Sequence, residues 1–143
     1  MFMGTYFLNM DDSHRLNIPA SYKRNLESDL VLSRGIDQDK KCIYLYNRTD
    51  WDKFANQLRS LSMLKKDNRF FTREFIGHSY ETSLDPKGRL VILKELIPYC
   101  NLQKEVVVIG SGDRIEIWDK STYDKYVSDT EGQLELKSEE IEF

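Results

Sequence analysis

The sequence predicts a β-rich α+β domain: two tandem copies of one small unit, packed with a pseudo-twofold relation into a common barrel with helices on its flanks. Three observations carry this. Asp11, Arg15, Leu16 and Ile18 recur 74 positions later as Asp85, Arg89, Leu90 and Ile92. Leu30-Val31-Leu32 answers Val106-Val107-Val108, and Ile43-Tyr44-Leu45-Tyr46 answers Ile115-Glu116-Ile117-Trp118. Trp51 and Phe54 answer Tyr123 and Tyr126. A repeat of this length marks two copies of one supersecondary unit packed against each other. Four short strands and a scrap of helix bury too little to stand alone, whereas two copies can share a core.

Residues 4–9 read as a strand, 11–14 as a turn and 15–18 as the next strand. Pro19 suits the first turn of a helix, where its missing N–H costs nothing, and Ala20, Tyr22, Lys23 and Leu26 fill that helix. Residues 30–32 form an apolar strand, 35–40 a polar loop with Asp37, Gln38 and Asp39, and 42–46 the returning strand. Asp50 is placed to cap a helix whose Trp51, Phe54, Leu58 and Leu61 fall on one face. A second helix covers 67–75 with Phe70, Phe71 and Phe75.

The second half repeats the plan. A strand over 77–84 leads to Asp85-Pro86-Lys87-Gly88, a strong turn signal because Pro sets φ and Gly accepts a positive φ. Residues 89–93 return as a strand. Leu93, Leu96, Ile97 and Cys100 have helical spacing, with Pro98 shortening that helix. Residues 105–109 and 114–118 flank Gly110-Ser111-Gly112-Asp113 as a hairpin, and a last helix covers 121–127. The organisation expected is a first repeat over 4–50, connecting helices over 51–75, a second repeat over 77–120, a short helix over 121–127 and an acidic, disordered tail over 128–143.

Charge is unevenly spread. The chain carries a net −3, yet residues 128–143 hold six acids and one base, a net −5, which leaves +2 for residues 1–127. A mildly basic body binds nucleic acid only through local patches or several subunits acting together. The tail is expected to repel DNA and to compete for the basic turns, an effect that salt screens. No run of 18 apolar residues is present, and the first residues lack the basic and apolar regions of a signal peptide, so the expected location is the cytoplasm, with no membrane partner. Cys42 and Cys100, far apart and outside any Cys-x-x-Cys, read as reduced, partly buried thiols.

The Asp-x-x-x-Arg turns carry the candidate chemistry. Asp11 and Asp85 can accept backbone N–H groups inside the turn. Arg15 and Arg89 open the outgoing strands, where the carboxylate orients the guanidinium and leaves part of its fork for a phosphate or a guanine edge. The plainer alternative is an internal Asp–Arg pair that only fixes the turn; its appearance in both repeats brings the two readings level.

These residues also carry a resemblance. Met1-Phe2-Met3-Gly4 with Tyr6, the first motif running through Arg15-Leu16-Asn17-Ile18-Pro19-Ala20, the second through Leu84-Asp85-Pro86-Lys87-Gly88-Arg89-Leu90, and Gly112-Asp113-Arg114-Ile115-Glu116-Ile117-Trp118 resemble the MraZ family over residues 1–127. The resemblance implies two tandem SpoVT-AbrB-type swapped-hairpin units in a double-psi-like barrel. It further implies a transcriptional regulator acting as a ring-like homo-oligomer on short direct repeats of double-stranded DNA upstream of the division and cell-wall gene cluster, associated with the nucleoid. Carried over to this sequence, Arg15 and Arg89 contact DNA, helped by Lys87 and His14, while Asp11, Asp85 and Gly88 orient the turns. The first motif departs from the family's Asp-x-Lys-Gly-Arg: Ser13 and His14 replace Lys and Gly, and Asp12 adds an acid. The second keeps Lys87 and Gly88 but reads Val91-Ile92-Leu93 where the family favours a final Pro. The first site is therefore expected to hold DNA less strongly than the second or to read different bases, with His14 partly replacing the Lys at mildly acidic pH.

Other chemistries find little support. His14 and His78 are 64 residues apart with no ligand at metal spacing, so neither a metal nor another cofactor is expected. Gly110-Ser111-Gly112 lacks the Lys that follows in a phosphate loop and reads as a turn. No catalytic constellation appears, and a hydrolase built on Asp11 and His14 finds no counterpart of His14 in the second repeat. No enzyme activity and no small-molecule substrate are expected. A swapped-hairpin module for protein association, antitoxin-like, is the alternative. The cations Arg59, Lys65, Lys66, Arg69 and Arg73 read as a solvated helix face and, less readily, as a lining for DNA.

Overall fold

The computed structural model describes residues 1–37 and 39–142; the expectations for Gln38 and Phe143 fall outside them. The elements are β1 (Thr5–Asn9), β2 (Arg15–Asn17), α1 (Ala20–Lys23), β3 (Leu30–Arg34), β4 (Ile43–Asn47), α2 (Arg48–Arg59), α3 (Lys66–Ile76), β5 (Ser79–Thr82), β6 (Arg89–Val91), β7 (Glu105–Gly110), β8 (Arg114–Asp119), α4 (Lys120–Asp129) and α5 (Gln133–Ser138). The fold is α+β, with one six-stranded antiparallel sheet in the order β1-β7-β8-β4-β3-β5 and a two-stranded ribbon of β2 and β6.

That order shows the internal symmetry. The hairpins β3–β4 and β7–β8 meet along β4 and β8, with Leu45 opposite Ile115 and Ile43 opposite Ile117. Each half then lends its first strand to the other: β1 pairs with β7, and β5 pairs with β3. Closure of the six strands into a barrel is not detected; β1 and β5 stand at opposite edges of the sheet.

Strand alternation divides the core in two. Leu30, Leu32, Ile43, Leu45, Val106, Val108, Ile115 and Ile117 face Leu16, Ile18, Tyr22, Leu90, Ile92 and Leu96 on one side. Val31, Tyr44, Tyr46, Val107 and Trp118 face Trp51, Leu58 and Phe75, with Phe54, Phe71 and Tyr123 against them. The ribbon thus lies on one side of the sheet, and α2, α3 and α4 on the other.

Three local expectations are corrected. The helix expected to be capped by Asp50 begins at Arg48, with Asn47 in the cap position and Asp50 in the first turn. Asn47 is buried, and its side chain accepts from the Glu27 N–H at 2.7 Å and donates to the Asn25 carbonyl at 2.8 Å. Asp119 holds the matching position at the head of α4 and likewise reaches a preceding loop, accepting from the Gln103 N–H at 2.8 Å, but unlike Asn47 it also caps its helix, accepting from the Ser121 N–H at 3.2 Å. The helix expected around Leu93, Leu96, Ile97 and Cys100 is a run of turns instead, because Pro98 has no N–H for an α-helical bond; Leu96 and Cys100 are still buried. The segment expected to be a disordered tail contains α5, yet residues 131–142 are all exposed. Cys42 and Cys100 are free and buried, and burial pushes both thiols up, Cys100 to about 12.

Candidate nucleic-acid interface

The two motif turns share one hydrogen-bond pattern. In the first, Asp11 Oδ1 accepts from the N–H groups of Ser13 at 2.9 Å and Arg15 at 3.0 Å, and Oδ2 lies 2.7 Å from Arg15 Nε. In the second, Asp85 Oδ1 accepts from Lys87 at 2.9 Å and Arg89 at 2.8 Å, and Oδ2 lies 2.7 Å from Arg89 Nε. The backbone closes both turns alike: His14 N–H donates to the Asp11 carbonyl at 3.0 Å, and Gly88 N–H to the Asp85 carbonyl at 2.8 Å. The fourth turn position is left-handed in each case, at φ 59° for His14 and 75° for Gly88. These contacts hold both carboxyls below their ordinary range. The N–H of the arginine contributes most, ahead of its guanidinium and of the second N–H in the turn.

The ribbon positions the two turns relative to each other. Leu16 pairs with Leu90, Arg15 with Val91 and Asn17 with Arg89. Ile18 N–H reaches the Gly88 carbonyl at 3.5 Å, and Ile92 N–H reaches the His14 carbonyl at 2.9 Å, so each turn is braced by the other repeat. Leu16 and Leu90 point into the core with no exposed surface. Alternation then sends Arg15, Asn17, Arg89 and Val91 to the outer face. Arg15 and Arg89 are diagonal neighbours there, with backbone positions about 7–8 Å apart.

Both arginines spend Nε on their aspartate; among the described residues no hydrogen bond from their terminal nitrogens is present. The second site is the more enclosed: the Arg89 and Asp85 side chains are 22% and 21% exposed, against 35% and 39% for Arg15 and Asp11. Lys87 sits in the second turn with its N–H on Asp85. His14 takes the place of Gly88, and Ser13 takes that of Lys87, so the first turn has no lysine of its own.

Two cations missed from the sequence join this region. Lys23, at the end of α1, lays its side chain over Gly88, where any Cβ would meet its ammonium. Lys104 borders the first turn: its carbonyl accepts from the Met10 N–H at 2.8 Å, and it lines a shallow depression with Asp11, Asp12 and His14. Neither follows a motif; only the exchange of strands between the halves brings them to the turns.

Among the described residues, no group of three or more His, Cys, Asp or Glu side chains could hold a metal ion, and no helix is long and apolar enough to cross a membrane. A family model described as "MraZ protein, putative antitoxin-like" matches residues 1–74 and again residues 75–141, one match for each structural repeat. Two consecutive matches spanning nearly the whole chain, on a sheet that exchanges strands between its halves, establish that this chain belongs to the MraZ family.

Proposed function

We propose that this protein is a sequence-specific, DNA-binding transcriptional regulator that works as a homo-oligomer on short direct repeats in a promoter, upstream of the division and cell-wall gene cluster. The observation that carries the reading is the pair of matched turns. Each presents an arginine pre-oriented by a carboxylate, with no hydrogen bond from its terminal nitrogens among the described residues, on one face of the ribbon. Bidentate donation from such a fork suits phosphate oxygens or the O6 and N7 edge of guanine. Lys87, Lys23 and Lys104 supply further positive charge for the DNA backbone, and His14 adds a donor at the first turn. The reading is of a binding protein rather than an enzyme, acting at the nucleoid.

Two small heads on a near-neutral body bind a single site weakly, near the nonspecific range of about 10⁻⁴–10⁻⁶ M. Linking several copies raises avidity by roughly 10²–10⁴. The test is a fluorescence-anisotropy titration against direct-repeat and scrambled DNA at several salt concentrations. The reading requires preference for the repeats, a steep salt dependence, and loss of binding when neighbouring boxes are scrambled; equal affinity for both DNAs overturns it. The family's description as antitoxin-like favours a second reading, a module for protein association. In that case binding to a protein partner survives loss of Arg15 and Arg89.

A further inference from the structure

The layer opposite the ribbon carries an exposed patch that DNA recognition leaves unused. The connection between α2 and α3 exposes Leu61, Met63 and Leu64, the last at 92%, and Phe70 follows on α3 at 59%. The patch is firmly built. Arg69 donates to the carbonyls of Met63 at 2.9 Å and Leu64 at 3.0 Å, Asn68 donates to the Ser62 carbonyl at 2.9 Å, and Leu64 N–H donates to Ser62 Oγ at 3.3 Å. Its surroundings are cationic: residues 59–73 contain five Lys and Arg and one Asp. Among the described residues none of those five cations is in a salt bridge. An ordered, apolar and positively charged knuckle facing solvent marks an interaction surface.

The same chain carries its complement. After α4, residues 131–142 expose every side chain, including Leu134 at 79%, Leu136 at 66% and Ile141 at 57%. The segment 128–143 bears a net −5. Lys137 reaches Glu140 at 3.7 Å and Asp129 reaches Lys40 at 3.2 Å, while Glu131, Glu135, Glu139 and Glu142 are in no salt bridge among the described residues. One surface is apolar and +4, the other apolar and −5.

We propose that the acidic α5 segment of one copy docks on the basic α2–α3 knuckle of the next, burying its Leu134 and Leu136 against Leu61, Met63 and Leu64. This rests on the homo-oligomer reading above and names its junction. Unlike surfaces make a head-to-tail contact that repeats from copy to copy and closes only if the rotation allows it. The knuckle lies on the side of the sheet away from Arg15 and Arg89, so the junction leaves the arginine face open. Opposite charges steer the encounter and set its direction, while the leucines supply the hold.

Sedimentation of the full-length protein without DNA tests this. Met63→Asp with Leu64→Asp disables the knuckle, and Leu134→Asp with Leu136→Asp disables the tail. All four positions are exposed, and circular dichroism melting checks that each variant folds as the parent does. Each double variant should raise the dissociation constant on the order of tenfold or more. Mixing the two variants should give a 1:1 dimer and nothing larger, since each keeps one working surface. Lys65→Glu with Lys66→Glu should weaken assembly, and Glu135→Lys with Glu139→Lys in the same chain should restore it. A parent that stays monomeric at every concentration overturns the homo-oligomer reading itself. A parent that assembles, with both variants assembling equally, overturns only the junction. So does a mixture that stays monomeric, or a knuckle variant that loses binding to anionic phospholipid vesicles without losing assembly.

Discussion

His14 and Gly88 occupy the same left-handed position in two matching turns, one paying for a side chain there and the other not, at φ 59° and 75°. A residue with a Cβ in that region is strained by about 1–2 kcal/mol, partly offset by the greater freedom of glycine in the unfolded chain. His14→Gly should therefore stabilise the protein by about 0.5–1 kcal/mol, read as a higher urea midpoint at unchanged slope. Gly88→Ala should cost about 1–2 kcal/mol. The backbone angle sets that loss, since the three atoms nearest to an added Cβ all belong to the flexible end of Lys23.

Acid should loosen both turns. The Asp11 and Asp85 carboxyls are held below their ordinary value of 3.8 in the folded protein. Their contribution to stability is present above that value and is lost as pH falls through the lower, folded one. Stability measured by urea titration should fall across that acid window in the parent. The fall should be shallower in Asp85→Asn, which has no charge there to lose. An identical acid profile in the variant would remove Asp85 from this role.

Arg89→Ala should weaken binding to direct-repeat DNA more than Arg15→Ala. The second site is more enclosed, and only it has Lys87 in the turn and Lys23 above it. A lost fork costs about 1–3 kcal/mol per site. Arg89→Lys should not recover it, because an ammonium cannot hold Asp85 through Nε and still present a two-pronged edge. Equal, undiminished affinity in both alanine variants would return the turns to a structural role.

The ribbon should tolerate change outside far better than inside. Leu90→Ala removes a side chain with no exposed surface, facing Leu16 across the pseudo-twofold, and should cost about 2–5 kcal/mol. Tyr22→Phe removes the bond from its hydroxyl to the Gly4 carbonyl, 2.6 Å long, and should cost about 0.5–1.5 kcal/mol. Burial raises that hydroxyl to about 12, so the loss should be the same across neutral pH. Val91→Thr, on the outer face, should change the urea midpoint little.

What the sequence shows well is whatever repeats or alternates. The internal duplication, both hairpins, the paired turns and the helices bearing Trp51 and Phe75 follow from periodicity and turn chemistry. Spacing alone misleads at Leu93, Leu96, Ile97 and Cys100, where burial demands apolar residues but Pro98 forbids the helix. Asp50 looks like a cap because Asn47, the residue in that position, turns its side chain to the 25–27 loop instead. Lys23 and Lys104 are hidden from any local reading. Each borders a turn built by the opposite repeat, and no window along the chain contains both partners.

The brace between the repeats, Ile18 to Gly88 and Ile92 to His14, makes the ribbon nearly, but not fully, two-fold. Perfect symmetry would give both ends the same chemistry and suit inverted sequences, as symmetric dimers suit palindromes. Here one end offers Ser13 and His14 and the other Lys87 and Gly88. The unequal ends give the ribbon a polarity, and in the proposed assembly polar copies joined in sequence would suit sites that all point the same way.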